Sequence, residues 1–258
     1  MDHGGVEHGG IDRGGIDHRV IGVVGASGGL GASSLSVALA LRGARQLGAT
    51  VCVDGERDRG GLDVTACLEH LPGLRWPDLV SARGPLDGAA LLRALPADGP
   101  LRVLAARGVD PGAEVAGAAV EALATVCALC VVDLGRSTEL VPWCTEVLVL
   151  VGLGARQLAD ASALVPSVID LAPLTRLVLR VGRRDPLLPE DVAAHLDLPL
   201  ATVLRDDARA AADADRARLP GSRDSSALAD AADRVLAQPV PSGLAAGAAL
   251  GPGPAVTA

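Results

Sequence analysis

From Gly25 to Ser34 the chain reads Gly-Ala-Ser-Gly-Gly-Leu-Gly-Ala-Ser-Ser, a glycine-rich turn directly after the apolar run Val20–Val24. In a phosphate-binding loop of this type the backbone N–H groups cradle an anion and the following helix adds the positive end of its dipole. A lysine then reaches the β- and γ-oxygens. Aligned on that pattern, Ala26 stands at the first glycine, Gly31 at the second, Ala32 at the lysine and Ser33 at the hydroxyl that would hold Mg²⁺. The candidate nucleotide-binding residues are therefore Gly28, Gly29, Leu30, Gly31, Ala32, Ser33 and Ser34. The 23 basic residues are all arginine, so the lysine is missing here and everywhere else in the chain. Anion binding is compatible with that loss, whereas fast hydrolysis is not.

Two acidic segments complete the candidate chemistry. Val131-Val-Asp133-Leu-Gly-Arg136 places an acid at the end of a buried strand, where Asp133 would hold Mg²⁺-bound water alongside Ser33. Val51-Cys-Val-Asp54-Gly-Glu56 ends a second strand, at the edge where open α/β sheets bind ligands, and Asp54 or Glu56 could orient a water. Arg59-Gly-Gly-Leu-Asp63 follows as a switch-like stretch. Arg136, Arg180, Arg183 and Arg184 lie near strand ends, and a guanidinium among them could bind phosphate in place of the lysine. The loop also fits the spacing of the short-chain dehydrogenase turn, but that chemistry moves protons with a Tyr and a Lys, and the chain has neither.

These residues need a scaffold, and the pattern supplies one. Short β-branched runs alternate with alanine-rich stretches, which is the signature of βαβ units and a mainly parallel sheet in a three-layer α/β domain. Strands are expected at about 20–25, 50–54, 101–105, 127–133, 146–151, 176–181 and 201–204. Helices are expected over Ala32–Leu47, with Gly48 as a C-cap, and over Asp87–Leu95, Pro189–His195 and Ala227–Leu236. The domain spans 19–238. Before it, residues 1–18 form a Gly/His-rich leader with an imperfect five-residue repeat; its histidines His3, His8 and His18 lack the partners of a metal site. After it, residues 239–258 form an Ala/Gly/Pro tail expected to be disordered.

Composition excludes several classes. A net charge of −8 with only two tryptophans and no other aromatic residue opposes nucleic-acid binding, which needs a basic face and stacking platforms. No apolar run reaches the roughly 18–20 residues of a membrane span, and no signal-peptide layout opens the chain, so a cytoplasmic protein without direct membrane insertion is expected. Five cysteines fit a reduced compartment. Cys127 and Cys130 have redox or metal spacing, but in a strand they would point to opposite faces and serve only packing.

The loop Ala26–Ser34, the segment Val-Asp54-Gly-Glu56 and the stretch Val-Val-Asp133-Leu-Gly, in this order and at these separations, resemble the MinD/ParA class of deviant P-loop ATPases. Gly60-Gly-Leu-Asp63 and Pro72-Gly-Leu-Arg-Trp76-Pro-Asp-Leu79 further resemble the CpaE/TadZ-like and septum-site-determining proteins of actinobacteria, over about residues 19–237. The resemblance implies a P-loop NTPase-like α/β/α fold with ATP or ADP and Mg²⁺ as cofactors. It also implies a homodimer that positions cell-division or secretion/pilus proteins at a pole or septum. The class's signature lysine falls on Ser27 and its P-loop lysine on Ala32. Members often read adenine with an asparagine after a late strand, where this chain has Leu177-Val-Leu-Arg180-Val-Gly-Arg-Arg184. The implied protein is a pseudo-ATPase or very slow ATPase, with nucleotide bound weakly or not at all. A slow Mg-ATPase with nucleotide-controlled dimerisation and a nucleotide-free adaptor are the alternatives.

Overall fold

The computed structural model describes residues 18–57, 61–182 and 188–239. Eight strands form one sheet: β1 (Arg19–Gly25), β2 (Thr50–Asp54), β3 (Ala97–Asp98), β4 (Leu101–Leu104), β5 (Leu129–Gly135), β6 (Glu146–Gly152), β7 (Thr175–Val181) and β8 (Leu200–Arg205). Their spatial order is β3-β4-β2-β5-β1-β6-β7-β8, and only the short β3 runs antiparallel to its neighbour. All seven expected strands form. The central β1 is flanked by β5 and β6, so it is paired on both sides and its residues Val20 to Val24 are buried. Near-continuous apolar runs are what a parallel strand covered on both faces requires.

Side chains alternate between two cores. Ile21 and Val23 face α1 (Ala32–Gln46), α2 (Leu62–Thr65) and α8 (Ala227–Leu236), while Val20 and Val24 face the other layer. That second layer is built from α3 (Gly88–Ala94), α4 (Ala113–Ala124), α5 (Ala155–Ile169) and α6 (Pro189–Leu196). A short α7 (Ala210–Ala214) follows β8. Helix starts carry their own signals. The Asp87 side chain accepts a hydrogen bond from Ala90 N–H at 3.0 Å, Ser226 accepts one from Ala229 N–H at 3.2 Å, and Pro189 opens α6. Helix α1 ends one residue earlier than expected, at Gln46; Leu47 caps it and Gly48 follows in the left-handed region.

The cysteine expectation needs correction. Strand β5 begins at Leu129, so Cys127 precedes the pleat, and it packs in the same core as Cys130 and Cys144. All five thiols are free, and burial pushes the Cys130 thiol far above its ordinary value, which leaves it an inert packing group. The leader, apart from His18, and the tail from residue 240 lie outside the described residues. Among the described residues no helix is long and apolar enough to cross a membrane.

At the N-terminal edge of the sheet, Glu146 is wholly buried between two arginines. Arg19 donates to it at 3.0 Å and also to the carbonyls of Val235 and Leu236, which fastens the end of α8. Arg176 Nη2 lies 2.6 Å from the other Glu146 oxygen at an angle unsuited to hydrogen bonding, so that contact is Coulombic. Glu146→Ala would strand both cations, and a loss of about 3–5 kcal/mol in urea-unfolding stability is expected. A loss below about 1 kcal/mol, the range of an exposed pair, would show that the brace is dispensable.

Candidate functional site

The glycine-rich turn joins β1 to α1 at the carboxyl edge of the sheet. Ala26 N–H donates to the Leu150 carbonyl at 3.0 Å, which ties the start of the turn to β6. Leu30 is buried beneath the turn in the core facing α1. Gly29 and Gly31 have φ of 76° and 92°, the left-handed region that a side chain resists. Gly31 is the N-cap of α1, with no capping side chain and no acid in the first turn. The first amide groups of a 15-residue helix are thus left without a side-chain partner, in the geometry that suits an anion.

Neither of the two positions that a lysine would fill in such a cradle carries a cation. Position 32 is alanine, and the Ser27 hydroxyl is committed to Asp160 Oδ2 on α5 at 2.6 Å. Arg180 does approach the loop, on its outer side. Its Nη1 donates to the Leu30 carbonyl at 2.7 Å and its Nε to Asp206 at 2.9 Å, while a Cβ on Gly31 would come within 3.2 Å of the same guanidinium. It borders a cavity of about 120 Å³ lined in part by Leu30, Gly31, Ser34 and Leu204. Its guanidinium is thus engaged by Asp206 and a carbonyl, in a partly exposed pair, and it also lines a cavity beside Gly29 and Leu30. The exposed Arg136 side chain faces a separate cavity with Gly25, Ala26 and Asp160. Arg183 and Arg184 lie outside the described residues.

The acids converge as the sequence suggests. Asp54 and Asp133 are register partners at the ends of β2 and β5. A bulge between β1 and β5 at Val23/Val24, with Gly135 at φ 56°, brings the following loop across toward Glu56. Glu56 accepts from Arg136 N–H at 3.1 Å, and Gly55 N–H donates to the Asp133 carbonyl at 2.7 Å. Burial raises the Asp54 pKa to about 7; hydrogen bonds from the N–H groups of Ala106, Glu56 and Leu62 oppose the shift, and the Asp133 charge adds to it. Burial likewise raises Asp133, against the Ser33 and Ser36 hydroxyls and the Gly135 N–H. Among the described residues neither carboxylate has an ion-pair partner.

These residues fit one half of a Mg²⁺-nucleotide and not the other. Ser33 beside Asp133 is the pairing that holds a metal through water, and the uncapped α1 fits a phosphate. Among the described residues no group of three or more His, Cys, Asp or Glu side chains is placed to hold a metal by itself. Among the described residues the turn itself offers backbone amides and no cationic side chain, with the exposed Arg136 bordering it at Gly25 and Ala26.

The segment Pro72–Leu79, singled out in the sequence by its resemblance alone, has a structural role that sequence reasoning did not supply. Trp76 is fully buried and its indole N–H donates to the Asp54 carbonyl at 2.8 Å. Arg75, also buried, donates to the carbonyls of Gly73, Leu68 and Leu71 and pairs with Asp63 at 3.3 Å. The Pro72–Leu79 segment is thus a brace beneath Asp54; a tryptophan in a chain almost without aromatics was the available signal. Arg57 carried no comparable signal.

No family model matches the chain. Two uncharacterised proteins of Mycobacterium tuberculosis, from strains CDC 1551 / Oshkosh and ATCC 25618 / H37Rv, are each 34% identical over 224 residues. The match takes in 84% of this chain, and the chain spans 63% of the length of those relatives. Among solved structures, a ParA family ATPase from Chlorobium tepidum superposes with a TM-score of 0.74 at 16% identity, covering 84% of this chain and 97% of that one. A MinC:MinD cell division complex from Aquifex aeolicus gives 0.69 at 19% identity, covering 86% and 98%. The septum site-determining protein MinD of Pyrococcus horikoshii, complexed with Mg-ADP, gives 0.66 at 19% identity, covering 84% and 93%. The fold is that of the MinD/ParA class of P-loop NTPases.

The buried acid gives a pH signature. Because the folded-state pKa of Asp54 lies above its ordinary 3.8, the folded protein holds a proton that the unfolded chain releases. The resulting stability is fully present below about pH 4 and is lost as the pH rises through about 7. Asp54→Asn removes the cost of ionisation, so without nucleotide the variant should exceed the wild type at pH 8 by about 2–4 kcal/mol. Toward pH 4 the difference should shrink to a small fraction of that, as read by urea unfolding at pH 8 and pH 4. Equal differences at the two would mean that Asp54 stays ionised.

Proposed function

We propose that this chain is a MinD/ParA-like regulatory or localisation protein whose nucleotide site has lost its cations and which acts chiefly through protein contacts. The observation that carries the reading is the pairing of an uncapped, glycine-led α1 with positions 27 and 32 that hold serine and alanine. The architecture supports binding of a nucleotide's phosphates at Gly28–Ser34, and the missing charge makes that binding weak. Bound Mg²⁺ would supply the positive charge that the chain lacks, held by Ser33 and Asp133. In this reading Asp54 or Glu56 would orient a water, although Asp54 already accepts from the N–H groups of Glu56 and Ala106, and Glu56 from Arg136 N–H.

The partners we infer are a second copy of the chain and components of the cell-division or secretion/pilus machinery. MinD in Aquifex aeolicus forms a complex with MinC, which lends this reading support. The protein would work in the cytoplasm and reach a pole or septum through those partners. The resemblance of Gly60–Asp63 and Pro72–Leu79 to CpaE/TadZ-like proteins supports this address. A second reading, a slow Mg-ATPase, draws on the Ser33–Asp133 contact. It requires Mg²⁺-dependent turnover that disappears in Asp133→Ala.

Melting the purified wild type and Ala32→Lys with and without millimolar Mg-ATP tests the proposal. The wild type should shift by less than about 1 °C, and the lysine variant by about 5 °C or more, since a ligand at a hundredfold excess over its Kd adds about 2.7 kcal/mol. A large shift in the wild type would establish a fully live site. No shift in either protein would mean that the loop no longer accepts phosphate, leaving the nucleotide-free adaptor.

A further inference from the structure

We infer that Arg57 is a positioning residue that pins the acidic loops of the candidate site in one arrangement without any ligand. Its guanidinium is 97% buried, with a relative exposure of 3%, and reaches three loops at the carboxyl edge of the sheet. Nε and Nη2 form a two-pronged contact with Asp110, at 2.8 and 3.3 Å, in the loop before α4. Nη2 also reaches Glu139 at 2.6 Å in the loop after β5, and Nη1 lies 3.4 Å from the Gly55 carbonyl. A planar fork can serve two carboxylates at once, which a lysine's single ammonium does less well.

The placement gives the contact its meaning. Arg57 follows Glu56 directly, and Glu139 lies three residues after Arg136, whose N–H donates to Glu56. The segments 54–57 and 133–139 are therefore stitched at successive points: the Asp54–Asp133 register pair, Gly55 N–H to the Asp133 carbonyl, Glu56 to Arg136, and Arg57 to Glu139. Asp110 extends the seam to α4, because the same carboxylate accepts from Gly112 N–H at 2.8 Å just before that helix. Burial works against the Arg57 charge, and the hydrogen bonds to Asp110 and Glu139 outweigh it, so the cation stays protonated. Removing it would leave two carboxylates in one small region with nothing between them. In a nucleotide switch such loops take their order from the ligand's phosphate and metal. Here an internal cation supplies it, and the functional sense of this inference rests on the proposed reading of the site.

The test is amide hydrogen exchange on the full-length protein without nucleotide, comparing wild type, Arg57→Gln and Glu139→Gln. Arg57→Gln should speed exchange in 108–112 and 135–139 by about tenfold or more while amides inside β1 and β5 keep their rates. Glu139→Gln removes one arm at a side chain that is 57% exposed, so it should fold normally and speed 135–139 while sparing 108–112. Unchanged loop rates in Glu139→Gln, or equal acceleration of loops and core strands in Arg57→Gln, would overturn the inference. Should Arg57→Gln fail to fold, the Glu139→Gln pattern decides. A parallel sample with millimolar Mg-ATP, read only at 25–34, reports on the nucleotide reading separately.

Discussion

Two carboxylates are held side by side in the protein interior, and among the described residues neither is paired with a cation. Asp54 and Asp133 end adjacent strands in register, and the surroundings are organised to make that tolerable. Backbone N–H groups point at Asp54 from three directions and serine hydroxyls stand beside Asp133. A buried tryptophan fixes the Asp54 carbonyl. In a site with its lysines, cations and a metal would share this task. Here neutral hydrogen bonds carry it, at a cost that shows as a carboxyl titrating near pH 7.

The opposite edge of the same sheet shows what the protein does when it has charge to spend. Glu146 is as buried as either acid, yet two arginines bracket it and one of them also holds the end of α8. Arg57 follows the same practice at the carboxyl edge, but directs its charge to Asp110 and Glu139 and not to the phosphate cradle. Arg180, which donates to the Leu30 carbonyl, is paired with Asp206. Among the described residues Arg57 and Arg180 are thus used to fasten loops to one another, which leaves backbone amides, a metal and the exposed Arg136 to meet a polyphosphate.

Much of this was readable from the sequence because it is local. The strands announce themselves as β-branched runs, and Asp87, Pro189 and Ser226 mark helix starts by chemistry confined to a few residues. The turn and its three acids fall where their motifs place them. Helices α4 and α5 were harder, since alanine-rich segments carry little periodicity and Pro166 inside α5 argues against a helix there. The facing of the Cys127–Cys130 pair was misjudged because Cys127 lies before β5, where the alternation of a strand does not yet apply. Arg57 was invisible for a different reason: its partners lie 53 and 82 residues away, and only the sheet order brings their loops together.

The proposed P-loop geometry without P-loop charge is tested most plainly by calorimetric titration of the wild type with Mg-ATP. At physiological salt the account expects a Kd in the millimolar range, about −4 kcal/mol, or no measurable heat of binding. A micromolar Kd, about −8 kcal/mol, would contradict it, because backbone amides and one metal would then have replaced both missing lysines.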